Sequence, residues 1–215
     1  RPIQEFSLHR LSEARNLTIA LSNRVQRVKP SATLAITATA ARLRAEGLDI
    51  IGLGAGEPDF PTPEHIQEAA IKAIRDGQTR YTPVDGTTSL KQAIVDKFER
   101  ENGFTYAADQ ILVSSGGKQS SFNLYQALFN DGDEIIIPAP YWVSYPDMAL
   151  LAGAKPVIVH AGQNQGFKIL PDQLREAITD KTRLLSLNSP SNPTGVAYSE
   201  DELKALAEVL LEHPQ

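Results

Sequence analysis

The sequence predicts an α/β protein, a mostly parallel sheet with helices on both faces. Short runs rich in Ile, Val and Leu recur at 111–114, 134–138, 156–160 and 183–187. Between them lie longer stretches near 118–129, 143–152, 171–178 and 200–212, whose apolar residues fall at helical spacing. The strand runs are near-continuously apolar instead of alternating, as expected of strands covered on both sides.

The elements follow in order. Residues 1–22 lie outside the pattern and are expected to be an N-terminal extension. Lys29-Pro30-Ser31 has the form of an exposed helix start. Thr62-Pro63-Glu64 predicts another, with a capping hydroxyl, proline at the first helical position and an acid in the first turn. Ile66, Ala70, Ala73 and Ile74 then share a face, and Gly77 is a stop signal. A further helix near 88–101 carries Leu90, Ile94 and Phe98 at intervals of four. Ile111–Ser114 is expected as the first strand, and strands and helices alternate from there.

Composition narrows the function classes. The 215 residues carry a net charge of −5, so there is no basic footprint for nucleic acid. The absence of cysteine excludes disulfides, a thiolate metal site and a cysteine nucleophile. His9, His65, His160 and His213 are scattered, so no metal site is expected. No run approaches the roughly 18 apolar residues of a membrane span. The first twenty residues mix Arg1, Arg10 and Arg15 with Glu5 and Glu13 and contain no apolar signal core. A cytoplasmic enzyme is therefore the expectation.

Ligands on such sheets bind beyond the carboxyl ends of the strands. Three loops there carry chemistry. Ser114-Ser115-Gly116-Gly117-Lys118-Gln119 opens a helix whose free N–H groups suit a phosphate, or is a strand–helix turn in which glycine relieves strain. It matches neither the nucleotide-triphosphate loop nor GxGxxG. Ala139 through Pro146 holds the single tryptophan, Trp142, either a plate for a flat heteroaromatic ring or a packing anchor. Asn188-Ser189-Pro190-Ser191-Asn192-Pro193-Thr194-Gly195 is a stiff turn that fixes the Asn192 amide, or simply a rigid connection. Upstream, 54–60 and 79–86 read as glycine- and proline-bearing turns.

Taken in order, Lys29-Pro30-Ser31-Ala32-Thr33, Gly56-Glu57-Pro58-Asp59-Phe60, Tyr81, Gly116 through Gln119, Pro140 through Pro146 and Asn188 through Gly195 resemble the class-I aminotransferases. These are fold-type I enzymes dependent on pyridoxal 5′-phosphate (PLP), and the likeness is to the bacterial aspartate and aspartate/prephenate branch. The resemblance covers about residues 23–215. It implies that 23–60 is the N-terminal segment of the small domain and 61–215 the first half of the PLP-binding large domain.

The same resemblance assigns roles. Backbone N–H groups of Gly117 and Lys118 would hold the phosphate, Trp142 would stack on the pyridine ring, and Asn192 would donate to its phenolate oxygen. Tyr81 would reach the phosphate of a neighbouring subunit in a homodimer, the Gly56 backbone would contact the substrate α-carboxylate, and Lys29 a second carboxylate.

The implied reaction moves an amino group between aspartate or glutamate and a 2-oxo acid. Aromatic or prephenate specificity is the alternative within the family. A PLP-binding regulator or a non-catalytic fragment is the alternative outside it. The family's ring-nitrogen aspartate, imine-forming lysine and carboxylate-binding arginine correspond to positions beyond Gln215. No catalytic residue is thus assigned within the chain, and Lys155, Lys168, Lys181 and Lys204 fall outside the imine-lysine motif. The chain alone is expected to be inactive, with an exposed sheet edge.

Overall fold

A computed structural model describes residues 20–54 and 56–214. Its centre is a parallel sheet of order β2-β1-β3, made of β1 (Glu134–Ala139), β2 (Lys155–His160) and β3 (Thr182–Leu185). Ile136 lies in register between Val157 and Leu185. The three consecutive isoleucines of β1 are wholly buried but face alternate sides. Ile135 and Ile137 join Tyr125, Phe129, Met148 and Ala149 of one layer. Ile136 joins Leu174, Leu206 and Val209 of the other. Each buried isoleucine contributes about 1.5–3 kcal/mol relative to exposure. That makes the central strand the anchor of the fold.

The first layer comprises α5 (Gly117–Leu128) and α6 (Ser144–Leu151), and the second α7 (Pro171–Ala177) and α8 (Glu200–Leu211). Here α6 connects β1 to β2, and α7 connects β2 to β3. The sheet is therefore covered on both faces, as its apolar runs predict.

Upstream lie α1 (Asn23–Gln26), α2 (Ala32–Ala45), α3 (Glu64–Arg75) and α4 (Thr88–Asn102). Ser31 does start a helix, since its hydroxyl accepts from Leu34 N–H at 3.3 Å. Thr87 caps α4 in the same way, and Gly103 closes it in the left-handed conformation.

Two expectations are corrected. Thr62 does not cap α3, because Pro63 takes the cap position in an extended conformation and leaves the Thr62 hydroxyl a residue too far back. Ile111–Ser114 joins no ladder. It is extended, but its Val113 N–H donates to the Asp85 carbonyl at 3.0 Å, and both flanks of β1 are already taken by β2 and β3. The apolar face of α3 is real in sequence but uncovered, with Ile66 and Ile74 exposed. The expected extension at 1–22 lies almost entirely outside the described residues.

Candidate active site

The phosphate-type loop ends at Gly116, whose φ of 92° and ψ of 161° belong to a region open in practice only to glycine. From there α5 runs away from the loop. Ser115 N–H is engaged by the Gln119 side chain at 2.5 Å and Gly116 N–H by the Ser114 carbonyl at 2.8 Å. The next two N–H groups, of Gly117 and Lys118, have no partner among the described residues, as the geometry of a helix start requires. A Cβ placed on Gly116 or Gly117 would meet nothing within 4 Å. An exposed helix start with open space beside both glycines thus carries two free donors and the positive end of the helix. The buried Ser114 hydroxyl also has no partner among the described residues.

Trp142 follows β1 directly. It is half-buried, packs against the α5–α6 core and meets Tyr145 edge-on at 5.3 Å and 87°. Trp142 is thus held from one side, with surface to spare. The Lys118 ammonium stands 5.0 Å from the Trp142 ring centroid, within cation–π range. This contact joins the first loop to the second. Motif spacing assigns only the Lys118 backbone and is blind to where its side chain goes.

The third loop is braced from within. Asn188 Oδ1 accepts from Asn192 N–H at 2.9 Å, and the Ser191 carbonyl accepts from Gly195 N–H at 2.7 Å. Ser189 Oγ accepts from Tyr198 N–H at 3.0 Å, while the Tyr198 hydroxyl accepts from Ile169 N–H at 2.9 Å. The Asn192 side chain is left exposed. A cavity of about 20 Å³, room for one water, joins this turn to the end of β1. Pro138, Pro140, Ser186, Asn188 and Ser191 line it. Burial raises the Tyr198 and Tyr145 hydroxyls above the ordinary phenol range, so both stay protonated near neutrality.

The remaining candidates lie apart. Tyr81 is fully exposed, in a loop pinned to the 111–114 segment where Gly86 (φ 109°) abuts Val113. Gly56 is exposed. Lys29 is exposed between α1 and α2, with no ion-pair partner among the described residues. A larger groove of about 510 Å³ runs between α2 and residues 50–54, away from the strand ends. Three of the four lysines left unassigned are committed to carboxylates: Lys155 to Glu134, Lys168 to Glu202 and Lys204 to Glu200.

Residues 48–214 match the family model for aminotransferase class I and II. The chain belongs to that family. It is 63% identical to the aspartate/prephenate aminotransferase of Nitrosomonas europaea over 194 residues, covering 90% of this chain and 49% of that protein. It is 53% identical to the aspartate aminotransferase of Bacillus subtilis, with 90% and 49% covered. Among solved structures it resembles the aspartate aminotransferase from Rhizobium meliloti, with a TM-score of 0.88 and 48% identity over 92% of this chain and 49% of that one. The aromatic aminotransferase from Pyrococcus horikoshii superposes with a TM-score of 0.79 at 37% identity, covering 91% and 48%. The fold is that of the aspartate aminotransferases, and the chain spans about half the length of the curated relatives it matches. Among the described residues, the loops after 111–114, β1 and β3 are linked by direct contact or a shared cavity.

Proposed function

We propose that this chain supplies half of a PLP-dependent aminotransferase acting between aspartate or glutamate and a 2-oxo acid, and that it does not turn over alone. One observation carries the reading. Two free N–H groups open α5, and the ammonium of Lys118 in that same turn stands over the Trp142 ring. A phosphate and a flat heteroaromatic ring on one small molecule match that pairing of donor cradle and aromatic plate. The residues present fit PLP: Gly117 and Lys118 N–H for its phosphate, Trp142 for its ring and the exposed Asn192 amide for its phenolate oxygen. When bound, PLP supplies an electron sink for a bond broken at the amino acid's α-carbon. This chain's residues bind and orient it, and the braced turn holds Asn192 against one oxygen.

The exposure of Tyr81 supports its proposed reach to the phosphate of a second copy, so that two chains complete each site in a homodimer. Gly56 is proposed to meet the substrate α-carboxylate through its backbone. The division into a small-domain segment at 23–60 and a large-domain half from 61 remains part of the proposal. Among the described residues no helix is long and apolar enough to cross a membrane, which is consistent with the proposed cytoplasmic location.

The test uses the protein at its relatives' full length, assayed with PLP, aspartate and 2-oxoglutarate. Turnover is expected, and Asn192→Ala should lower it about ten- to a hundredfold, the worth of one hydrogen bond to a charged oxygen. Absence of PLP binding by the full-length protein would remove the reading.

A second specificity is favoured by the relatives named aspartate/prephenate aminotransferase. Under it Lys29, exposed and unpaired among the described residues, binds a second substrate carboxylate. Lys29→Ala is then expected to depress prephenate turnover more than aspartate turnover. Equal effects would discard the assignment.

A further inference from the structure

We infer that the part-buried hydrogen bond between Tyr125 and Ser186 is a positioning device that keeps the phosphate end of α5 in register with the Asn192 turn. The inference rests on the cofactor reading above. Tyr125 lies on α5, eight residues or about 12 Å beyond Gly117. Ser186 follows the last residue of β3, six positions before Asn192. The Tyr125 hydroxyl donates to Ser186 Oγ at 3.2 Å across 61 residues of chain. Among the described residues, no other side-chain hydrogen bond connects α5 to the sheet.

The rest of that interface is apolar. Phe122, Tyr125 and Phe129 lie against Ile135, Ile137, Met148 and Ala149. Such packing is strong but non-directional, and it tolerates small slides of a helix along a sheet. A pair of groups gripping opposite parts of one rigid ligand does not tolerate slides much beyond about 0.5 Å. The hydroxyl pair supplies the missing direction. Both of its ends are fixed. The Tyr125 residue is 2% exposed and its ring stands edge-on to Phe129 at 5.4 Å, while Ser186 N–H donates to the Ile136 carbonyl at 2.9 Å and so ties its backbone to the central strand. Burial raises the Tyr125 hydroxyl above its ordinary range, which keeps it a donor.

The test compares full-length wild type with Tyr125→Phe, Ser186→Ala and the double variant, each stripped of cofactor and titrated with PLP. In both single variants the PLP Kd is expected to rise on the order of fivefold, one hydrogen bond's worth. The double variant is expected to rise by the same factor, not by the product. The pH midpoint of the bound cofactor's visible absorption should move upward in all three, because Asn192 then holds the phenolate less firmly.

Thermal stability separates positioning from mere support. Ser186→Ala leaves a buried phenol unpaired and should melt early, whereas the double variant removes both partners and should regain most of that loss. A Kd that returns to wild type together with the melting temperature would overturn the inference, as would an unchanged Kd and midpoint throughout. Tyr125→Phe deletes a single oxygen and carries the test if Ser186→Ala does not fold. Failure of wild type itself to bind PLP would instead sink the cofactor reading, and this inference with it.

Discussion

Glu134 is the buried acid of the core, 6% exposed at the first position of the central strand. Its carboxylate accepts from the Thr179 hydroxyl at 2.7 Å and pairs with Lys155 Nζ at 2.9 Å, its neighbour in register on β2. The Thr179 hydrogen bond, and then Lys155, hold this carboxyl below its ordinary range against the opposing effect of burial. A folded-state value below the unfolded one means that protons favour the unfolded chain. The stabilisation is thus complete above the ordinary carboxylate range and disappears as pH falls through the lowered folded value. Glu134→Gln keeps the shape and removes the charge. It is expected to cost about 1.5–3 kcal/mol near neutrality and far less in acid, so urea midpoints of variant and wild type should converge as pH drops below about 4.5. Curves that stay parallel down to the acid limb would deny Glu134 this role. No periodicity marks this acid, because a charge opening an apolar run reads from sequence as the solvated end of a strand. Its two partners lie 21 and 45 residues away.

At the scale of the element, helix ends are set by local side chains. Ser199 begins α8 with a reciprocal pair, its hydroxyl accepting from Glu202 N–H at 3.2 Å while its own N–H donates to the Glu202 carboxylate at 2.7 Å. Glu202 also holds Lys168, and the hydrogen bond from that lysine is the largest reason its carboxyl lies below the ordinary range. Cap, helix and the 168–170 loop are therefore joined. Ser199→Ala is expected to cost about 0.5–2 kcal/mol, a fall in melting temperature of a few degrees for a chain of this size. Thr62→Ala serves as the contrast. Its motif looks like a better helix start, yet its hydroxyl caps nothing, so stability should change by less than about 0.5 kcal/mol. Equal melting shifts in the two variants would contradict both assignments. Ile111–Ser114 failed as a strand for a related reason: composition reports that a segment suits an extended conformation, whereas a ladder also needs a partner edge, which no local pattern records.

Across the whole molecule, burial is lopsided. Among residues 20–94 whose burial is described none is buried, and the first that is, Val95, precedes a core that otherwise runs from Tyr125 to Val209. This explains which parts were legible. Where helices cover both faces of β1, apolar runs and helical periods report the same core, and elements from residue 117 onward match their expected positions within a few residues. Upstream, the apolar face of α3 was equally visible, but Ile66 and Ile74 lie exposed. Within the site, the three loops could be read from their glycine, aromatic and asparagine chemistry. The contacts that unite them, Lys118 with Trp142 and Tyr125 with Ser186, depend on side chains brought together over long separations. Opening energies should follow the same gradient, since amides under dense apolar packing open only with global unfolding. In the 215-residue chain, hydrogen exchange is expected to be slowest in β1, whose neighbours protect it on both edges and both faces. The amides of α2 and α3, with no buried residue described in either helix, should exchange orders of magnitude sooner. Protection in α2 or α3 equal to that of β1 would show that the upstream helices belong to the same cooperative unit, and the two-layer core would then not be the part that holds the chain together.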